Sequence, residues 1–128
     1  RGLGDVYKRQ IVDNTEKVTY NGVDFIKEEG RIDVTRKDPS NTRYPELVRG
    51  RYIAYYYFSP KGAGAYPADD SQGYGMGMAI WGVRPVDMSD EAEAKTMEEN
   101  YEKLKKSTTA SMETLISLDE YWKLTSQK

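Results

Sequence analysis

Polar and apolar residues alternate with the period of a β-strand in separate segments between Val18 and Arg84, and repeat at helical spacing in the last third. Val18-Thr19-Tyr20 and Val23-Asp24-Phe25-Ile26 flank Asn21-Gly22, a dipeptide suited to the type I′ turn because both positions tolerate positive φ, so a β-hairpin is predicted there. Glu28-Glu29-Gly30 reads as a second turn. Arg31 to Arg36 then alternates charged and β-branched residues, with Ile32 and Val34 facing inward. Lys37 to Pro45 has no periodicity and two prolines, which predicts a loop.

Leu47 to Phe58 is the longest strand candidate, with Arg51, Ile53, Tyr55 and Tyr57 on one face and Tyr52, Ala54, Tyr56 and Phe58 on the other. Pro60 to Gly73 predicts a long loop, rich in glycine and proline, of the kind that carries function. Tyr74 to Arg84 resumes as strand, its small residues Gly75, Gly77 and Ala79 leaving room for tyrosines of the preceding strand. Beyond Pro85, Asp90 and Glu93 form a capping box that starts a helix at about Glu91. Met97, Tyr101 and Leu104 make its apolar stripe, Lys105 and Lys106 suit its C-terminal end, and the stripe continues through Met112, Leu115 and Trp122 as one helix or two.

The pattern predicts an α+β fold: a small antiparallel sheet of about five strands, followed by a C-terminal helical segment packed on one face. Asp5-Val6-Tyr7-Lys8-Arg9-Gln10 resembles the translated end of a transposon-derived sequencing adapter. That resemblance implies a non-native segment over residues 1–10 and a single domain over 11–128, β-rich from 11 to 84 and helical from 85 to 128. It also implies assembled environmental DNA as the source, which with the small size fits a phage accessory protein.

Composition narrows the chemistry. With no His and no Cys, the chain by itself has no imidazole base, thiolate nucleophile, disulfide or usual zinc ligand set. A metal site, a cofactor and an enzymatic role are accordingly not expected. No apolar run approaches the ~20 residues that span a bilayer, so a soluble chain without a membrane partner is expected. Nothing fixes the compartment, although a cysteine-free chain suits the cytoplasm. At 38% hydrophobic the core is thin, which favours self-association.

Charge is uneven. Residues 31–84 carry eight basic and five acidic side chains, whereas residues 85–128 carry six and ten. The basic block also holds seven of the eleven tyrosines. Guanidinium groups and phenol rings together offer fixed donors for phosphate oxygens and flat faces for stacking bases. Arg49, Arg51, Tyr55, Tyr57, Lys61 and Tyr66 are the expected contacts for a nucleotide, a single-stranded nucleic acid or another phosphorylated ligand. The chain's net charge of −2 speaks against broad binding to duplex DNA.

Two further readings stand beside this one. Met97, Tyr101, Leu104, Leu115 and Trp122 would let the helix act as a protein-interaction or assembly element. A carboxylate-based hydrolase would have to draw on Asp24, Asp33, Glu46, Asp69 and Asp70. Gly73-Tyr74-Gly75-Met76-Gly77 is not a phosphate-binding loop, since no Lys-Ser/Thr follows and strand, not helix, comes next. Asp69-Asp70-Ser71-Gln72-Gly73 lacks the ligand spacing of a calcium loop.

Overall fold

The computed structural model describes residues 2–59 and 75–114. A short 3-10 turn over Gly2–Asp5 leads into β1 (Val6–Tyr20), β2 (Val23–Arg36), β3 (Leu47–Ser59) and β4 (Gly75–Asp87), followed by one helix, α1 (Glu91–Glu113). The strands form a single antiparallel sheet in the order β1-β2-β3-β4, and α1 lies across β3 and β4 on one side. The fold is α+β, with four long strands where about five shorter ones were expected.

The difference comes from Gly30. Glu28-Glu29-Gly30 is not a turn, because β2 runs straight through it with Gly30 paired to both Val12 and Tyr52. A Cβ added there would sit 2.5 Å from the Ile11 carbonyl oxygen and 2.6 Å from the Tyr52 hydroxyl. Glycine is therefore present for close approach: the Tyr52 ring lies over the bare backbone. The true turn is at Asn21-Gly22, where φ is 53° and 81°, as a type I′ hairpin requires.

Residues 6–10, expected from the adapter resemblance to be non-native, extend β1 and pair with residues 32–36 of β2. A strand ladder is built by backbone groups, so it tolerates almost any side chains at an edge. β1 shifts register at Asp13, and the β3–β4 pair shifts opposite Gly50, where Pro85 sits on the edge strand without breaking a central ladder.

Strand parity sorts the sheet into a helix side and an open side. On the helix side Phe25, Ile53, Tyr55 and Met112 form the core, joined by Val18, Tyr20, Val23, Tyr57, Trp81 and Leu104. Tyr55 meets Phe25 and Trp81 edge-on, with centroids 6.4 Å and 5.9 Å away. Ala79 and Gly77 lie opposite Tyr55 and Tyr57, so the small residues of β4 do make room for the tyrosines of β3. Ile32 and Val34 were expected to face inward. They share instead the parity of Tyr52 and Gly30 and lie half-buried on the open side, while Arg31 and Asp33 point to the helix side.

The helix starts where the capping box indicates: Asp90 accepts a hydrogen bond from the Glu93 amide at 3.1 Å. Met97 and Tyr101 are buried beneath it. Lys105 and Lys106 do not end it. The hydroxyls of Ser107, Thr108 and Thr109 donate to carbonyls of the preceding turn, which satisfies these weak helix formers and lets α1 continue to Glu113. The loop expected over residues 60–73 and the stretch from Leu115 onward lie outside the described residues.

Candidate functional site

Arg49, Arg51, Tyr55 and Tyr57 all fall on the helix side of β3, in one row, because they are spaced two apart on a strand. Their surroundings differ along the row. Tyr55 is 1% exposed in the middle of the core. Tyr57 is half-buried against Phe25, with ring centroids 5.6 Å apart. Lys61 and Tyr66 lie outside the described residues.

Both arginines already hold carboxylates. Asp33 accepts from Arg49 Nε at 2.7 Å and from Nη2 at 3.0 Å, a forked pair between side chains that are 12% and 24% exposed. The hydrogen bond from Arg49 is the main reason that the Asp33 carboxyl is held below the ordinary carboxylate range. Arg31 reaches Asp13 at 2.6 Å and approaches Asp33 at 3.7 Å, which makes a chain of alternating charge across β1, β2 and β3. Arg51 donates from Nη1 to both oxygens of Glu98 on α1 at 2.8 Å, and its guanidinium lies 4.2 Å from the Tyr101 ring centroid. Tyr101 in turn donates to the Tyr52 carbonyl at 3.2 Å, and burial pushes its phenol up to about 12. Arg51, Glu98 and Tyr101 thus tie α1 to the sheet.

The helix residues named from sequence serve the same packing. Met97 and Tyr101 are buried and Leu104 is half-buried against the core, whereas Leu115 and Trp122 lie outside the described residues. Asp24 belongs to the open side, where Thr19 and Lys17 hold it, and Asp33 belongs to the helix side, so these two carboxylates do not face one another. Glu46 is exposed beyond the loop prolines, and Asp69 and Asp70 lie outside the described residues. Among the described residues no group of three or more acidic side chains converges on a metal-sized space. No helix among them is long and apolar enough to cross a membrane.

No family model, curated protein or solved structure matches this chain. The site has to be read from its own geometry, and that geometry draws attention to the open side. Met78 is 61% exposed there, Ile80 56%, Val12 48% and Ile26 45%. Ile32, Val34, Val48 and Tyr56 lie among them half-buried. Near the middle, Tyr52 donates to Glu28 at 2.7 Å and accepts from Gln10 at 2.8 Å, which holds the ring flat across Gly30. Burial and the Glu28 carboxylate together keep the Tyr52 phenol above its ordinary value. The outcome is a face of exposed and half-buried apolar residues around the buried Tyr52 ring, with Lys8, Lys17, Asp24 and Arg36 among them on β1 and β2.

Sequence reasoning passed over this surface. Its signal was the pairing of Met78 and Ile80 with Trp81 and Val83 on the other parity of β4: a strand apolar on both sides needs cover on both sides. A second concavity, a cleft of about 470 Å³, lies between the Val83–Asp87 end of β4 and Ala92, Thr96 and Asn100 of α1. Among the described residues that line it, the charged ones, Arg84, Asp87 and Glu93, are not buried.

Proposed function

We propose that this chain is a small non-enzymatic binding module whose working surface is the open side of the sheet, and that it recognises another protein surface. The observation that carries this reading is the cluster of large apolar side chains formed by Ile26 and Met78 on either side of Tyr56, with Ile80 next to Met78, left exposed on one face of the sheet. Single exposed apolar residues are ordinary, but a contiguous set on one face marks a contact surface. The fixed Tyr52–Glu28–Gln10 cluster supports it too, as an oriented polar group within an apolar field gives register to a partner.

The test is chemical access at low protein concentration. Dilute peroxide oxidises exposed methionine thioethers. Met78 should convert first, with Met97 and Met112 protected by burial, and an apolar reporter dye should bind in a manner abolished by Ile80→Glu. A Met78 as protected as Met97, with no dye binding, would overturn the reading.

One observation favours a phosphorylated ligand as a second reading. Arg51 keeps a buried Nε–H with no hydrogen-bond acceptor, and an anion alongside it would supply one. Titration with inorganic pyrophosphate tests it. Salt-sensitive binding that disappears in Arg51→Ala would support this second reading, and its absence would remove it.

A further inference from the structure

The open side is large enough, and of the right charge, to be matched by itself. All four strands run side by side over about ten residues, so with strands about 4.8 Å apart and rising about 3.3 Å per residue the four-stranded face is about 19 Å wide and about 33 Å long, close to 630 Å². That is at the lower end of what each partner contributes to a standard stable interface. Charges contributed to this face by β1, β2 and β3 are of mixed sign, Lys8, Lys17 and Arg36 against Asp24 and Glu28, and Lys17 already holds Asp24 at 3.3 Å. Such a face selects neither a polyanion nor a polycation. With a net charge of −2, two copies repel each other little.

The relief of the face also fits. Tyr52 lies flat over Gly30, and Ala54 beside it is fully buried, so the centre is low while Ile26, Met78 and Ile80 stand up around it. Two sheets packed face to face keep their backbones about 10 Å apart, and side chains of this size fill that gap by interdigitation.

We propose that the open side of the sheet is the interface of a symmetric homodimer, two copies stacked sheet on sheet with α1 on the outside of each. This rests on reading the open side as a contact surface and goes on to name the occupant. Met78 and Ile80 of each copy would then pack against apolar residues of the other, in the isologous arrangement that two-fold symmetry imposes.

The full-length chain tests this by sedimentation velocity across a dilution series, with peroxide oxidation of Met78 followed at each concentration. The expected result is a species of twice the chain mass that dissociates on dilution, and Met78 oxidation that slows as the dimer forms while Met97 and Met112 stay protected throughout. Ile80→Glu should weaken the dimer by roughly 100-fold or more, because it forces an unpaired carboxylate into an apolar interface. Lys103→Glu, on the exposed side of α1, should leave it unchanged. Ile26→Asp serves as a second interface variant, and unchanged circular dichroism shows that each variant folds.

A monomer at all concentrations with Met78 reactive would overturn the homodimer and leave the contact surface in want of a different partner. A monomer with Met78 always protected would overturn both, since the chain's own residues would then cover the face. A dimer that survives Ile80→Glu and Ile26→Asp with Met78 still reactive would assign assembly to another surface, overturning the homodimer on this face while leaving the contact surface in want of a different partner.

Discussion

Replacing Gly30 by Ala adds one methyl group to the centre of β2, and the structure sets out what that group meets. Its carbon would lie 2.5 Å from the Ile11 carbonyl oxygen, 2.6 Å from the Tyr52 hydroxyl oxygen and 2.7 Å from Tyr52 Cε1. Ile11 is backbone in a paired strand and moves only with its ladder. Tyr52 must therefore lift, and lifting breaks its hydrogen bonds to Glu28 and from Gln10. Two hydrogen bonds at about 1 kcal/mol each, with overpacking strain of at least ~1 kcal/mol, put the loss near 3 kcal/mol. In a domain of this size that lowers the melting temperature by about 10 °C.

Urea denaturation measures the loss as a shift in midpoint at unchanged slope. A double-mutant cycle with Tyr52→Ala then separates the two clashes. With the ring gone, Gly30→Ala should cost at least ~1 kcal/mol less than in the parent chain, the remainder belonging to Ile11. A Gly30→Ala protein within ~0.5 kcal/mol of the parent, or a strictly additive cycle, would refute the placement of Tyr52 over Gly30.

Two predictions concern pH. Asp33 titrates below its unfolded value, so its pairing with Arg49 stabilises the fold above pH ~4 and is lost as pH falls through the lower folded value. Asp33→Asn should cost about 2 kcal/mol at neutral pH and flatten the acid limb of stability against pH, and an acid limb as steep as the parent's would refute the assignment. Tyr101 shifts the other way, to about 12 from an ordinary value of 10.0, so its contribution is complete below pH 10 and is lost as pH rises from there toward 12. Tyr101→Phe should flatten that alkaline limb, with phenolate absorbance reporting the titration. Tyr20, which burial also raises to about 12, keeps some slope in the variant.

The features legible in the sequence are those decided within a few residues. Asn21-Gly22 requires positive φ at two successive positions, and Asp90 caps an amide three residues on; both read directly because cause and effect are neighbours. The alternation of β3 likewise put Arg49, Arg51, Tyr55 and Tyr57 on one face. The partners of those residues did not read out: Asp33 is 16 positions from Arg49, and Glu98 is 47 from Arg51. Gly30 misled for the same reason. Its neighbours Glu28 and Glu29 look like turn residues, and only the ring of Tyr52, brought over from another strand, explains a glycine in mid-strand. Which side of the sheet the helix would cover was equally hidden, because β3 and β4 carry large apolar residues on both parities.

The arrangement of β2 gives the open side its meaning. Its odd positions Lys27, Glu29, Arg31 and Asp33 are charged and turn toward the helix side, where they pair along and between strands. Its even positions carry Ile26, Ile32 and Val34 beside Asp24, Glu28 and Arg36, and turn toward the open side. An isolated one-layer sheet with a helix on one side gains by the opposite choice, since burying apolar area yields about 25 cal/mol per Å² and half-burying charges yields little. Ion pairs such as Arg49–Asp33 occupy the space beside the helix that isoleucines could fill, while Ile26 stands exposed and Ile32 half-buried on the open side. Such an inversion raises the stability of a molecule that gains a second apolar layer from outside, and lowers that of one that does not. Moving the two sets back, by exchanging Ile32 with Asp33 and Arg49 with a leucine, would favour the lone monomer and remove the reason for a partner.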